Sequence, residues 1–296
     1  MNRATAIALF VLMLVPSAGS NAWAQLVAGK DAPIVYGHHH IYVSDISAHH
    51  KFWVTALGGV PANVPGRDGV IKFPNVFVYP SQRTPTGSSK GTTFDHIGFQ
   101  VPDIRAAVAK VKAAGYPIVT RTELRAGEAN DDVVFDANEK THIAFTMGPD
   151  ETKVELVESK SMKEPIALHH IHFSAANVPD MKAWYVKVFN AKPAKQGAFE
   201  AADLPGVSLR FSAAQGPVTG TVGRALDHIG FEIRNLVSFC ERLNTLGVKI
   251  EPHPRQTPGA APGCGKSPVA ASPLNTAILI DPWGTKIELT EGIVSW

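Results

Sequence analysis

The sequence predicts an α+β fold in which four βαβββ units are paired into two domains. Three observations lead to this prediction: a hexapeptide that recurs with a single difference, four strand-like segments that each begin at a histidine, and a helical stretch after each of those segments. The length of 296 residues also fits two domains, at roughly 150 residues each.

Internal self-similarity organises the chain. The hexapeptide Phe94–Phe99 returns as Leu226–Phe231, and looser copies lie at His39–Tyr42 and His169–His172. A repeat of this kind indicates that one structural unit is used several times.

Apolar residues at helical spacing follow each strand-like segment, and short β-rich runs complete the units. The predicted helices cover Ser47–Leu57, Ile104–Ala114, Met181–Phe189 and Leu236–Leu246. Ser47 and Asp103 are the candidate N-caps. The β-rich runs include Val70–Tyr79, Thr141–Met147 and Thr276–Ile280.

A longer duplication joins the units in pairs. The separations from His40 to His170, from His96 to His228 and from Glu155 to Glu288 are 130, 132 and 133 residues. We therefore predict a first domain over 25–160 and a second over 167–296, with a linker between them near 159–166. The Pro-, Gly- and Ala-rich segment 256–273 is expected to be a long loop, either a lid or a disordered segment.

The composition limits the classes of partner. Lys and Arg number 28 against 26 Asp and Glu, which argues against nucleic acid or a polybasic membrane surface. We expect a small-molecule partner, and the sequence does not predict the oligomeric state.

The first 24 residues have the features of a signal peptide. Arg3 precedes the apolar run Ala6–Val15, and Ala22-Trp23-Ala24 ends the segment before Gln25. The apolar run of 10 residues is shorter than the roughly 20 that span a bilayer. We expect cleavage, no membrane span after it, and a periplasmic or secreted protein; whether Cys240 and Cys264 form a disulfide stays open.

Histidine and glutamate recur at the same places in the two halves. The recurring residues are His40, His96 and Glu155 in the first half and His170, His228 and Glu288 in the second. Two imidazoles and one carboxylate suit a divalent metal and leave coordination positions open, as in catalytic sites. The alternative is that these histidines only pack in the sheet, and the strand period leaves the direction of each glutamate undecided.

The chain resembles the vicinal oxygen chelate superfamily, which includes glyoxalases, extradiol dioxygenases and bleomycin-resistance proteins. The resemblance rests on Asp95–Phe99, Asp227–Phe231 and Asp281–Leu289 and covers nearly the whole mature chain. It implies glyoxalase-like domains in which paired units form open, cup-shaped mixed sheets. It also implies that the six residues above are metal ligands on the inner face of these sheets.

A fourth ligand position separates the branches of this superfamily. Alignment places Tyr79 and Arg210 there, and neither is a carboxylate or amide, so the ligand set looks more like the extradiol dioxygenases. Arg210 and Tyr79 become candidate substrate-binding residues. His172 and Tyr42, two residues along the strand from His170 and His40, are candidate catalytic groups.

The resemblance leaves three functions open. A dioxygenase would use Fe(II), which the ligand set favours, and a glyoxalase-type lyase or isomerase would use a divalent ion. Zn, Mn or Ni are the other possible metals. A resistance-type protein would bind a small molecule without reaction. The remaining histidines, which lack a repeat partner in phase, are interpreted as surface or core residues: His38, His39, His49, His50, His142, His169 and His253.

Overall fold

The computed structural model describes Leu26 and residues 32–124 and 131–293. The predicted signal peptide, residues 1–24, lies outside the described residues. Within the described ranges, no helix combines the length and the apolar character needed to cross a bilayer.

In the described residues, sixteen strands form two eight-stranded sheets. The first unit contains β1 Ile34–Val43, β2 Val60–Pro61, β3 Ile71–Phe73 and β4 Val76–Gln82. The second contains β5 Phe94–Val101, β6 Val134–Asp136, β7 Thr141–Met147 and β8 Lys153–Glu158. The third contains β9 Ala167–Ala175, β10 Lys192–Gln196, β11 Phe199–Leu204 and β12 Val207–Ala213. The fourth contains β13 Leu226–Ile233, β14 Gly265–Lys266, β15 Asn275–Ile280 and β16 Lys286–Glu291.

The main helix of each unit follows its first strand, which confirms the four βαβββ units and the α+β class. These helices are α1 Ile46–His50, α2 Ile104–Ala113, α4 Val178–Phe189 and α5 Leu236–Thr245. A π-helical turn over Lys51–Ala56 continues α1. Two short helical segments, α3 Thr120–Glu123 and a 3₁₀ turn Pro149–Glu151, lie in the second unit. Asp103 caps α2 as predicted, but Asp45 rather than Ser47 caps α1, because its side chain accepts from the backbone N–H groups of Ser47 and Ala48.

Each sheet is centred on two first strands that run antiparallel, with the last strand of each unit parallel to its own first strand. One sheet has the order β14-β15-β16-β13-β1-β4-β3-β2 and combines the first and fourth units. The other has the order β10-β11-β12-β9-β5-β8-β7-β6 and combines the second and third. We call them the outer and the inner sheet, after the positions of their units in the sequence.

This pairing crosses the two halves of the sequence. The predicted linker near 159–166 connects β8 to β9 within the inner sheet, while the segments 83–93 and 214–225 pass between the sheets. The expectation that the first unit shares a cup with the second is therefore wrong. A short linker lets the second and third units lie side by side, and the first and fourth units then pair with each other.

A continuous apolar core fills the space between the sheets. Successive strand residues point to opposite faces, so Ile97 and Phe99 enter this core while His96 and Gly98 lie on the concave face. Phe73 of the outer sheet packs on Phe99 of the inner sheet with ring centroids 4.7 Å apart. The apolar faces thus hold the two sheets together, and the concave faces are left for polar residues.

The segment 256–273 is a long connection that includes a short strand. It contains β14, which pairs antiparallel with β15, and Cys264, which forms a disulfide with Cys240 of α5. The two Cα atoms are 6.6 Å apart, within the range of natural disulfides. The bridge answers the question that the sequence left open and fixes this loop to the fourth unit.

Candidate metal centres

The outer sheet brings together two histidines from different halves of the chain and one glutamate. His38 Nε2 lies 2.8 Å from Glu288 Oε2, and His228 Nε2 lies 3.4 Å from the same oxygen. All three side chains are buried on the concave face. The ligand atoms of His38, His40, His228 and Glu288 lie within 4.8 Å of one another. We call these four residues the outer cluster.

The inner sheet repeats this arrangement. His96 Nε2 and His170 Nε2 lie 3.0 and 3.1 Å from Glu155 Oε2. His172, two residues along β9 from His170, completes a group of three histidines whose ligand atoms lie within 4.8 Å of one another. We call His96, Glu155, His170 and His172 the inner cluster.

The predicted ligands are all on concave faces, but the predicted grouping into triads is wrong. His170 meets His96 and Glu155, whereas His40 meets His228 and Glu288. The reason is the pairing of β5 with β9 and of β1 with β13, which joins first strands from opposite halves of the chain.

The phase of the repeat also needs a correction. The helix N-caps are Asp45, Asp103, Asn177 and Asn235. The histidine seven residues before each cap is His38, His96, His170 or His228. His38, interpreted above as a surface or core residue, is thus the counterpart of His170, and His40 is the counterpart of His172. The separation between these counterparts is 132 residues, equal to that between His96 and His228.

Two glycines make room for these imidazoles. Gly98 pairs with His170 and Gly230 with His38 across the central strands. A Cβ atom at Gly98 would lie 2.1 Å from the ring of His170, and one at Gly230 would lie 2.1 Å from the ring of His38. The glycine in each repeated hexapeptide is therefore required by the facing histidine rather than by a turn.

An aspartate and a lysine orient one histidine in each cluster. Asp95 Oδ1 lies 2.7 Å from His96 Nδ1 and is also paired with Lys153. In the outer cluster Asp227 Oδ1 lies 2.5 Å from His228 Nδ1 and 2.7 Å from Lys286 Nζ. A carboxylate at Nδ1 fixes the ring and leaves Nε2 for a cation, as in many metal sites.

The electrostatics of both clusters suit a divalent cation. Burial raises the pKa of each glutamate, but the two neighbouring imidazoles outweigh this effect, and the pKa values of Glu155 and Glu288 lie well below the usual value. Burial lowers the pKa of His38 and His170, so these rings are neutral near pH 7. His170 Nε2 faces Glu155 but has no aligned hydrogen-bond partner among the described residues. Neutral nitrogen and anionic oxygen atoms that converge in this way fit a metal such as Fe(II), Zn, Mn or Ni.

Tyr79 and Arg210 occupy equivalent places beside the clusters. Tyr79 pairs with His40 in the sheet, and its ring centroid lies 4.7 Å from that of His38. Arg210 pairs with His172 and forms a buried ion pair with Glu139 from the β6–β7 turn. Neither offers a carboxylate or amide, and the substrate-binding roles suggested for Tyr79 and Arg210 stay predictions.

Tyr42 lies further along β1 than the cluster. Its hydroxyl accepts a hydrogen bond of 3.1 Å from Arg83 Nη1, and the Arg83 guanidinium packs over its ring. The catalytic role suggested for Tyr42 stays a prediction.

Arg67 is a site residue that the sequence reasoning missed. It comes from the loop between β2 and β3, and its Nη1 donates to His40 Nε2 over 2.5 Å. Its Nη2 lies 3.7 Å from Glu288 Oε1. No motif marks this arginine, because a loop residue shows no strand or helix period.

A cavity of about 680 Å³ opens beside the inner cluster. His96 and His172 form part of its wall, and Phe145 and Phe199 contact these two imidazoles edge to face. His172 Nε2 lies 2.9 Å from Ser212 Oγ. This volume is within the range of small-molecule sites.

Comparison with known families agrees with this architecture. Two profiles of the glyoxalase, bleomycin resistance protein and dioxygenase superfamily match the chain, over residues 37–135 and 167–289. The chain belongs to this superfamily. The resemblance stated from the sequence motifs is thereby confirmed, and the two matches fall in the two halves of the internal duplication.

Solved structures share the fold of this superfamily member. Glyoxalase I from Zea mays is 18% identical, with 87% of this chain and 92% of that chain covered and a TM-score of 0.63. A Bacillus subtilis protein whose dioxygenase name is provisional is 11% identical, with 87% and 84% covered and a TM-score of 0.55. No curated protein sequence matches significantly. At these identities the likeness concerns the fold alone.

We predict that Gly98→Ala removes the metal from the inner cluster only, because a methyl group there would displace the ring of His170. Gly230→Ala should do the same in the outer cluster through His38. Each variant should lose one of two equivalents in elemental analysis and should keep its circular dichroism spectrum. Gly216→Ala, where an added Cβ meets open space, is the control. Full metal content in Gly98→Ala would contradict the placement of His170.

Burial and the neighbouring His96 lower the pKa of His172 to about 3. At a pH below 6.5, the ordinary pKa of histidine, His172 binds a proton in the unfolded chain but not in the folded protein. The free energy of unfolding therefore falls as the pH drops from 6.5 towards 3. In urea unfolding of the metal-free protein, the loss between pH 7.5 and pH 5 should be about 2 kcal/mol larger for the unsubstituted protein than for His172→Gln. His50→Gln, outside both clusters, is the control, and equal losses in all three proteins would contradict the burial of His172.

Proposed function

We propose that this protein is a metal-dependent enzyme that acts on a small substrate with two neighbouring oxygens, and that its reaction is of the extradiol dioxygenase type. One observation carries the proposal: in each sheet two imidazole Nε2 atoms face one glutamate Oε2. The neighbouring position holds Tyr79 or Arg210, which are not ordinary ligands of divalent metals.

The three donors would hold the cation and leave part of its coordination sphere free for a substrate. Fe(II) is the metal that two histidines and one carboxylate favour, and Zn, Mn or Ni are the alternatives. When bound, the ion would supply a Lewis acid for the two oxygens of the substrate. Asp95 and Asp227 would keep the Nδ1 proton on His96 and His228, so that Nε2 offers its lone pair.

The cavity beside the inner cluster supports a small, flat substrate. Phe145 and Phe199 provide apolar walls next to His96 and His172. Because burial lowers the pKa of His172 to about 3, its ring is neutral near pH 7 and would position a substrate hydroxyl group by a hydrogen bond. The acid or base role suggested for His172 from the strand period stays a prediction.

A glyoxalase-type lyase or isomerase is the second candidate. It is favoured by the third histidine of the outer cluster, because the ligand atoms of His38, His40, His228 and Glu288 all lie within 4.8 Å of one another. Four protein ligands would then surround the metal, the number that the resemblance associates with glyoxalases. A non-catalytic binding protein is less well supported, since both clusters keep a complete set of donors.

We predict that protein reconstituted anaerobically with Fe(II) consumes O₂ in the presence of a vicinal diol. Glu155→Ala and Glu288→Ala should each remove one metal equivalent, and the double variant should remove both and lower O₂ uptake by on the order of 100-fold or more. An oxygen electrode and elemental analysis measure these effects. Turnover of an enediol-forming substrate with Zn²⁺ or Ni²⁺ without O₂, and none with diols, would favour the lyase instead.

We further propose that the protein is exported to the periplasm or secreted. The apolar run Ala6–Val15 and the small residues before Gln25 support export, and so does the disulfide between Cys240 and Cys264. Disulfides persist in oxidising compartments and are rare in the cytosol.

We predict that the full chain, expressed in a Gram-negative host, is recovered from the periplasm without residues 1–24 and with both cysteines oxidised. Fractionation, mass spectrometry and thiol alkylation test this. A chain that starts at Gln25 should stay in the cytoplasm with free thiols and is the control. Replacing both cysteines by serine should lower the free energy of unfolding of the exported protein by about 3 kcal/mol. Recovery of the full chain from the cytoplasm, with residues 1–24 retained, would contradict export.

A further inference from the structure

The two clusters have the same ligands but differ in their arginines. In the inner cluster the neighbouring guanidinium belongs to Arg210, which is 2% exposed and is already paired with the carboxylate of Glu139. In the outer cluster the equivalent strand position is Tyr79, and the guanidinium comes from Arg67 in a loop. The guanidinium of Arg210, a candidate substrate-binding group, is thus already paired with a protein carboxylate. Arg67 is the arginine that is left to bind an anionic ligand.

Among the described residues, Arg67 has no carboxylate within hydrogen-bond distance. Its Nη1 donates to the ring of His40, and its Nη2 forms only a long ion pair of 3.7 Å with Glu288 Oε1. Its Nε has no hydrogen-bond partner among the described residues, although the atom is buried. The guanidinium packs over the ring of Tyr79 at 4.7 Å, which holds it at the cluster.

In the part of the chain that the structure describes, the other charged groups near the two clusters have partners of their own. Asp227 is paired with Lys286 in the outer cluster, as Asp95 is with Lys153 in the inner one. Glu232, a further carboxylate of β13, accepts from Thr290 and from the backbone N–H groups of Gly292 and Ile293. Arg67 therefore places a positive charge and unused hydrogen-bond donors beside the outer cluster. A divalent cation bound there would have only one anionic protein ligand, Glu288.

The position of Arg67 is compatible with a bound cation. It faces Glu288 through Oε1, whereas His38 and His228 face Oε2. Its side chain is 12% exposed, so a ligand that enters from solvent can reach it. A planar guanidinium matches a carboxylate through two parallel hydrogen bonds.

We propose that the outer cluster binds a small dianionic acid that chelates the metal through two neighbouring oxygens and pairs with Arg67 through its remaining carboxylate oxygens. This inference rests on the metal binding of the proposed function. The inner cluster, where Glu139 neutralises Arg210, takes chelating ligands of lower charge. The duplicated protein thus has two sites with different ligand specificities.

Oxalate and acetohydroxamate are suitable probes, because both chelate through two oxygens but oxalate carries two negative charges and acetohydroxamate one when bound. Glu155→Ala isolates the outer cluster and Glu288→Ala isolates the inner one. Each protein is loaded with Zn²⁺, its metal content is measured, and both probes are titrated by calorimetry without O₂.

In the Glu155→Ala background, Arg67→Gln should weaken oxalate binding about tenfold or more and change acetohydroxamate binding much less. Arg67→Lys should lie between, because it keeps the charge but loses the paired donors. Arg83→Gln, the arginine over Tyr42, is the matched control and should leave both affinities unchanged. In the Glu288→Ala background, oxalate should bind more weakly than in the isolated outer cluster, and Arg67→Gln should have no effect.

Equal oxalate affinity with and without Arg67 would overturn the proposal, as would an effect of the same size in the isolated inner cluster. If Arg67→Gln only tightened Zn²⁺ binding, the arginine would be a competitor of the metal, which also overturns the proposal. An outer cluster that holds no metal would overturn it together with the metal assignment. Oxalate binding that depends on Arg67 in a protein without O₂ uptake supports the proposal and defeats only the dioxygenase assignment.

Discussion

Antiparallel pairing of two first strands, β1 with β13 and β5 with β9, is the contact on which both candidate metal centres depend. A single unit holds either a histidine and a glutamate or two histidines on its concave face. Neither set alone provides the two imidazole nitrogens and the carboxylate oxygen that meet in each cluster. The pairing sets His38 over Gly230 and His170 over Gly98, and so brings each imidazole to the glutamate of the other unit. The fold and the site are thus produced by the same hydrogen-bonded contact.

The paired units contribute unequally. The second and fourth units supply the glycine, the aspartate-oriented histidine, the lysine and the glutamate, while the first and third supply two histidines spaced by two residues. This division explains why the hexapeptide returns closely in only two of the four units. A glycine in one unit and a facing imidazole in the other are complementary, since a Cβ atom at Gly98 or Gly230 would occupy the place of the ring.

Much of this architecture could be predicted from the sequence. The four units, their helices and the ligand types follow from recurrence and from strand and helix periods. The choice of partner could not be predicted, because all four first strands have similar edges and periodicity carries no information about which edges meet. The phase of the repeat could have been found from the sequence. His38, His39 and His40 are consecutive, so the histidine pattern alone does not show which of them is the counterpart of His170. Once Asp45 is recognised as the helix N-cap, the distance of seven residues identifies His38. The position of Arg67 beside the outer cluster could not be predicted, because it depends on the conformation of a loop.

The crossed pairing has a consequence for the order in which the protein folds. The second and third units are neighbours in the chain, so β5 and β9 meet after a modest loop closure, whereas β1 must wait for β13, which is nearly two hundred residues away. Contacts of such sequence separation form slowly. As the chain emerges from its N-terminus, the inner cup can therefore close while β1 still lacks its partner β13. Until the last unit emerges, one edge of β1 stays unpaired, and unpaired strand edges are prone to aggregation.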